Sequence, residues 1–158
     1  MSEKLQNAYK CISDERNDLF KLLFEELKKC KCTQIGVEKD WWKNITDEPG
    51  VYVIYESTHI VYCGETDSLK RRMKDLGRTL NHTWRRKIGR DFFSEHSEYQ
   101  PASSKKKFHN DIEQLLNEHV KQYCVRILPI PLGRAEFERW IIREKSPCFN
   151  GRIQRIKS

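Results

Sequence analysis

The stretch that most restricts the fold is Pro49-Gly50 followed by VYVIYE, a polar break at Ser57-Thr58, and HIVYC. Pro-Gly stops a helix and sets a turn, and the runs on either side of Ser57-Thr58 are rich in β-branched and aromatic residues. So short a polar break leaves a β-hairpin as the connection. Side chains alternate across a strand, so Tyr52, Ile54 and Glu56 share one face while Val51, Val53 and Tyr55 share the other. A two-stranded hairpin needs a further strand and a cover, and the rest of the chain offers both. YCVRILPIP reads as a third strand that ends at Pro129 and Pro131, because proline cannot serve inside a central strand.

Helical periodicity marks the cover. Leu19, Leu22, Leu23 and Leu27 form an apolar stripe within Glu15 to Lys29. SLKRRMKDL follows an N-cap at Thr66-Asp67 and ends at Gly77. Phe108 to Gln122 carries Ile112, Leu115, Leu116 and Val120 on one side, and GRAEFERWIIREK forms a last helix before a basic, loop-like tail. The expected architecture is an α/β chain of α+β type, a small three-stranded antiparallel sheet flanked by helices. We divide it into an N-terminal helical extension, 1–46, and a main domain, 47–158, with a basic insertion at about 77–107.

At 158 residues the chain is the size of one ordinary domain with additions. Hydrophobic residues make up 37% and charged residues 34%, which excludes a disordered or membrane-embedded class. No apolar run approaches the ~20 residues of a membrane span, and the start lacks a secretory pattern, so a cytoplasmic protein is expected. The six cysteines, Cys11, Cys30, Cys32, Cys63, Cys124 and Cys148, show no paired CxxC spacing, so reduced thiols acting as small apolar residues are expected rather than a zinc site. A net charge of +7 favours a polyanionic partner, nucleic acid first.

Taken singly, Tyr52, Tyr62, Arg72, Glu138 and Asn150 have ordinary explanations as strand aromatics, surface charges and a turn residue. Their order and spacing nevertheless resemble the GIY-YIG nuclease family. Its Gly-Ile-Tyr signature is similar to Gly50-Val51-Tyr52, and its Tyr-Ile-Gly signature to Tyr62-Cys63-Gly64. An arginine on the following helix falls at Arg72. The later glutamate and the Pro-x-aromatic-Asn loop fall at Glu138, Pro147, Phe149 and Asn150. The layout is closest to small, stand-alone, restriction-type members.

The resemblance implies a DNA endonuclease that hydrolyses phosphodiester bonds with Mg²⁺ or Mn²⁺. In it Glu138 is the metal ligand, Arg72 the phosphate clamp, Tyr52 the group at the nucleophilic water, Tyr62 an orienting group and Asn150 a brace. Site-specific double-strand cleavage of restriction type is the first expectation. The alternatives are a repair, junction-cutting or mobile-element nuclease, or a non-catalytic nucleic-acid-binding module of the same fold. Two positions depart from the family pattern: Leu76 stands where a polar partner of the phosphate is usual, with His82 or Lys74 as substitutes, and Glu65 follows the second signature, where we expect it to cap the next helix.

Contacts to double-stranded DNA are expected from Arg71, Lys74, Arg78, His82, Trp84, Arg85, Arg86, Lys87, Arg90, Lys105, Lys106 and Lys107. Phosphate contacts would give affinity, and groove contacts specificity. Trp84 and Phe92-Phe93 have an equal claim to anchor the insertion to the core. Cutting both strands takes two sites, so a homodimer through the N-terminal helix or the insertion is expected.

Overall fold

The computed structural model describes residues 1–151; the basic tail beyond Gly151 lies outside them. Strands β1 (Thr33–Gln34), β2 (Gly50–Glu56), β3 (His59–Thr66) and β4 (Tyr123–Pro129) form one antiparallel sheet in the order β1-β4-β2-β3. The expected hairpin is β2–β3, and the expected third strand, β4, pairs with the other side of β2. This central place explains why Val51 to Tyr55 are all buried: helices cover both faces of the sheet.

Helices α2 (Leu69–Asp75), α3 (Thr83–Phe93) and α4 (Asn110–His119) cover the Tyr52 and Ile54 face, where Met73, Leu76, Trp84, Ile88, Ile112 and Leu116 complete a core. On the opposite face Val51, Val53 and Tyr55 meet α1 (Glu3–Lys29) and α5 (Arg134–Lys145) through Phe20, Phe24, Leu27, Phe137, Trp140 and Ile141. The sheet thus separates two cores. Gly50 lies where a Cβ would strike the Leu128 carbonyl and the Leu69 side chain, so the close approach of β2 to β4 requires glycine there.

Three expectations change. The sheet gains a fourth strand: Thr33 and Gln34 pair with Val125 and Cys124, and two residues are too short to show any alternation in sequence. The same pairing brings together Cys32 and Cys124, which form a disulfide across 92 residues with Cα atoms 5.4 Å apart. The expectation of reduced thiols therefore holds only for Cys11, Cys30, Cys63 and Cys148 among the described residues.

Helix α1 also differs. It starts at Glu3, capped by Ser2, and buries Phe20, Phe24 and Leu27, while Leu19 and Leu22 of the expected stripe are exposed. The aromatic rings of Phe20 and Phe24 bury more area against Phe137 and Trp140 than the leucines would, and this rotates the helix. Among the described residues, no helix is long and apolar enough to cross a membrane.

Candidate active site

The hairpin places Tyr52 opposite Gly64, and the phenol ring lies across that glycine so closely that a Cβ would overlap it. The glycine of the second signature is therefore the floor on which the tyrosine of the first is held. Tyr52 is buried, and its ring centroid lies 6.1 Å from that of half-buried Tyr62. Burial and then the neighbouring Tyr62 push the Tyr52 hydroxyl well above the ordinary phenol range, while the charge of Arg72 pulls the other way.

His82 completes the aromatic group, with ring centroids 5.9 Å from Tyr52 and 5.6 Å from Tyr62. Its Nε2 lies 2.9 Å from Tyr52 Oη, and its Nδ1 accepts from the Trp84 backbone N–H at 3.2 Å, capping α3. Burial, then the charges of Arg72 and Arg86, lower the His82 pKa to about 3, so the ring is neutral. A backbone N–H can only donate, so Nδ1 carries the lone pair and the ring proton sits on Nε2. His82 therefore donates to Tyr52, and the Tyr52 proton is left to point elsewhere. His82 stands at the site where Leu76 cannot: Leu76 is fully buried in the core at the end of α2. Lys74, the other substitute, lies over the Trp42 ring at 4.8 Å.

Arg72 sits half-buried on α2, its Nη1 3.5 Å from the Asn81 carbonyl, and its charge acts on both tyrosines and on His82. Glu138 comes from α5 on the far side of β3. Burial and then the charge of Glu65 raise its carboxyl pKa; the Glu65 backbone N–H, Arg139 and Arg72 oppose the rise. Glu138 in turn raises the Tyr62 hydroxyl, after burial, so the carboxylate and the phenols feel one another. Its ionised form has no ion-pair partner within 4.0 Å among the described residues.

Asn150 acts as a strand in miniature. Its Oδ1 accepts from the Cys63 N–H at 2.6 Å and its Nδ2 donates to the Cys63 carbonyl at 2.7 Å, beside a Phe149 N–H to Val61 carbonyl bond of 2.9 Å. Lys87 fixes the same loop through the Phe149 carbonyl at 2.5 Å. The fold thereby brings Tyr52, Tyr62, Arg72, Glu138 and Asn150 around one end of the hairpin. Of the two substitutes the sequence offers for Leu76, His82 is the one that the structure brings to the tyrosines.

Glu65 does not cap α2. It lies on β3 and pairs with Arg134 at 2.6 Å, while Ser68 accepts from the Arg71 N–H and is the cap. The expected DNA contacts divide. Trp84 and Arg85 are buried; Arg85 bonds Glu113 at 3.0 Å, Asn117 at 2.6 Å and Thr79 at 3.1 Å, tying α3 to α4. Arg86 holds the Thr79 and Leu80 carbonyls. Arg71, Arg78, Arg90, Lys105, Lys106 and Lys107 are exposed; Arg71 lies beside Asp67, Arg78 beside Asp75, and Arg90 beside Asp91.

No protein-family model matches the chain, and no curated protein matches it. Among solved structures it is similar to the GIY-YIG N-terminal endonuclease domain of UvrC from Thermotoga maritima. Two tyrosine-to-phenylalanine mutants of that domain, each bound to its catalytic divalent cation, share 14% and 15% identity with it. Each match covers 70% of this chain and 91% of that domain at a TM-score of 0.39. That likeness is distant, and the chemistry rests on the side chains gathered around the hairpin.

Proposed function

We propose that the chain is a divalent-metal-dependent DNA endonuclease that hydrolyses phosphodiester bonds. The observation that carries this reading is the convergence on one rim of two phenols, a neutral histidine, an arginine and a carboxylate with no ion-pair partner among the described residues. Hydrolysis of a phosphodiester needs a positioned water, a place for its proton and positive charge at the phosphate. Arg72 presents a guanidinium fork to the nonbridging oxygens. After giving its own proton to solvent, Tyr52 accepts the proton of the attacking water at Oη as the water oxygen bonds to phosphorus and the bond to the sugar oxygen breaks. That sugar oxygen leaves with a proton from solvent. The His82 Nε2–H bond and the Arg72 charge favour the phenolate. Tyr62 orients the water or the phosphate. Asn150 fixes the strand that carries Tyr62.

Glu138 fits a hard cation: it is a half-buried carboxylate with a raised pKa and a second carboxylate, Glu65, adding negative potential beside it. No group of three or more His, Cys, Asp or Glu able to hold a metal occurs among the described residues, so Glu138 would hold Mg²⁺ or Mn²⁺ with water and phosphate filling the other positions. The bound ion would supply charge neutralisation at the phosphate and acidify water.

The finer reading is restriction-type cutting of duplex DNA by a homodimer. Residues 3–16 of α1 are exposed throughout, and Leu5, Ile12 and Leu19 recur at heptad spacing on it with Tyr9 alongside. A second copy, pairing along this stripe, would bring two sites to one duplex. Supercoiled plasmid and Mg²⁺ test the activity: wild type should cut, and Glu138→Ala and Tyr52→Phe should bind DNA without cutting it. A wild type that binds DNA but cuts neither duplex nor branched substrates with any divalent metal would leave only a binding module. Discrete duplex fragments support the restriction reading, and cuts confined to branched DNA refute it. Ile12→Glu should halve the mass in light scattering.

A further inference from the structure

On the sheet face opposite Tyr52, a cavity of about 580 Å³ opens between the end of α1, the end of α5 and the β2–β3 turn. Lys28, Arg126 and Lys145 line it, and no carboxylate among the described residues does. The cations gather there against their own repulsion. Lys145 and Lys28 ammonium groups lie 4.8 and 5.7 Å from the centre of the Phe24 ring. Arg126 lies over the Tyr55 ring at 5.0 Å and is held by an Nη1 bond of 2.6 Å to the Lys28 carbonyl. Among the described residues only Lys28 of the three has an ion-pair partner, Glu25 at 2.6 Å outside the cavity lining.

Two buried donors in this wall have no hydrogen-bond partner among the described residues: the hydroxyl of Tyr55, a residue 7% exposed, and Arg126 Nε. Buried donors are almost always satisfied, and an orphaned pair beside three cations matches a site shaped for an anion with several acceptor oxygens. Glu138 and Lys145 are seven residues apart on α5, so they share one helix face at roughly 10 Å spacing. A strand whose scissile phosphate sits at Glu138 would carry a neighbouring phosphate past Lys145.

We propose that this cavity is a second phosphate site, holding the phosphate of a nucleotide unit on Lys28, Arg126, Lys145 and the Tyr55 hydroxyl. Its assignment to the cleaved strand rests on the nuclease reading; the phosphate chemistry does not. The same chemistry is offered by a free mononucleotide, and two arms of one experiment separate the sources.

In the first arm, duplex binding is measured against salt for wild type, Lys28→Gln/Lys145→Gln, and Lys10→Gln as a control on the free end of α1. A strand phosphate in the cavity lowers the slope of log K against log salt by about 1 to 2 in the double variant and leaves it unchanged in the control. In the second, AMP is titrated into wild type and Tyr55→Phe by NMR. A free nucleotide shifts the Arg126 Nε–H signal in wild type, and Tyr55→Phe weakens that binding about tenfold. Either result supports the site and names its source. An unchanged salt slope together with no AMP response at Arg126 overturns it, while plasmid cleavage by wild type would leave the nuclease reading standing.

Discussion

At the scale of single residues, the site depends on contacts that tolerate little change. Gly64→Ala would drive a methyl group into the Tyr52 ring, so cleavage should fall at least a hundredfold while the protein stays folded by circular dichroism. His82 links the site to pH. Its folded pKa near 3 is below the unfolded value of about 6.5, so the unfolded chain binds more protons between them. Stability should therefore be intact above about pH 6.5 and decline as the pH falls toward 3. Urea midpoints of wild type should show this drop, and His82→Gln should flatten it. Tyr52, Tyr62, Arg72 and Glu138 stand out in sequence only through the family resemblance that their order carries, since each alone has an ordinary explanation. His82 is offered by the sequence only as one of two substitutes for Leu76, since the turn that carries it to Tyr52 is set by the burial of Trp84 and Arg85 on α3.

At the scale of elements, the hairpin, β4, α2 and α5 are legible from local signals, the β-branched and aromatic runs and the breaks at Pro49-Gly50, Ser57-Thr58 and Gly77, even though β2 is buried on both faces. Helix α1 misled because it has two apolar stripes, and only the position of Phe137 and Trp140 on α5 decides which one is buried. The basic insertion misled for a related reason: charge in a sequence does not reveal burial. Arg85 looks like a DNA contact and serves as a buried clamp between α3 and α4. Arg85→Ala would strand Glu113 and should cost about 3–5 kcal/mol in chemical denaturation. DNA affinity of the folded variant should be unchanged, which separates the clamp from the exposed cations Arg78, Lys105, Lys106 and Lys107.

At the scale of the whole molecule, the sheet joins parts that are remote in sequence. The Cys32–Cys124 bond closes a loop containing the hairpin and helices α2 to α4, and a loop of that length is worth roughly 4–5 kcal/mol in the chain-entropy account. Reduction, or Cys32→Ser with Cys124→Ser, should therefore lower the melting temperature markedly, and alkylation of the unfolded native chain should label Cys11, Cys30, Cys63 and Cys148 alone. The spacing of Cys32 and Cys124 gave no hint of this, because their meeting depends on a two-residue strand. One contact on the opposite border of the sheet reaches further than the site. β3 is an edge strand, and an open edge invites pairing between molecules. Asn150 and Phe149 occupy the amide and carbonyl groups of Cys63 and the carbonyl of Val61, so the residue that braces Tyr62 also guards the molecule against aggregation. Loss of activity and loss of solubility would then begin at the same side chain.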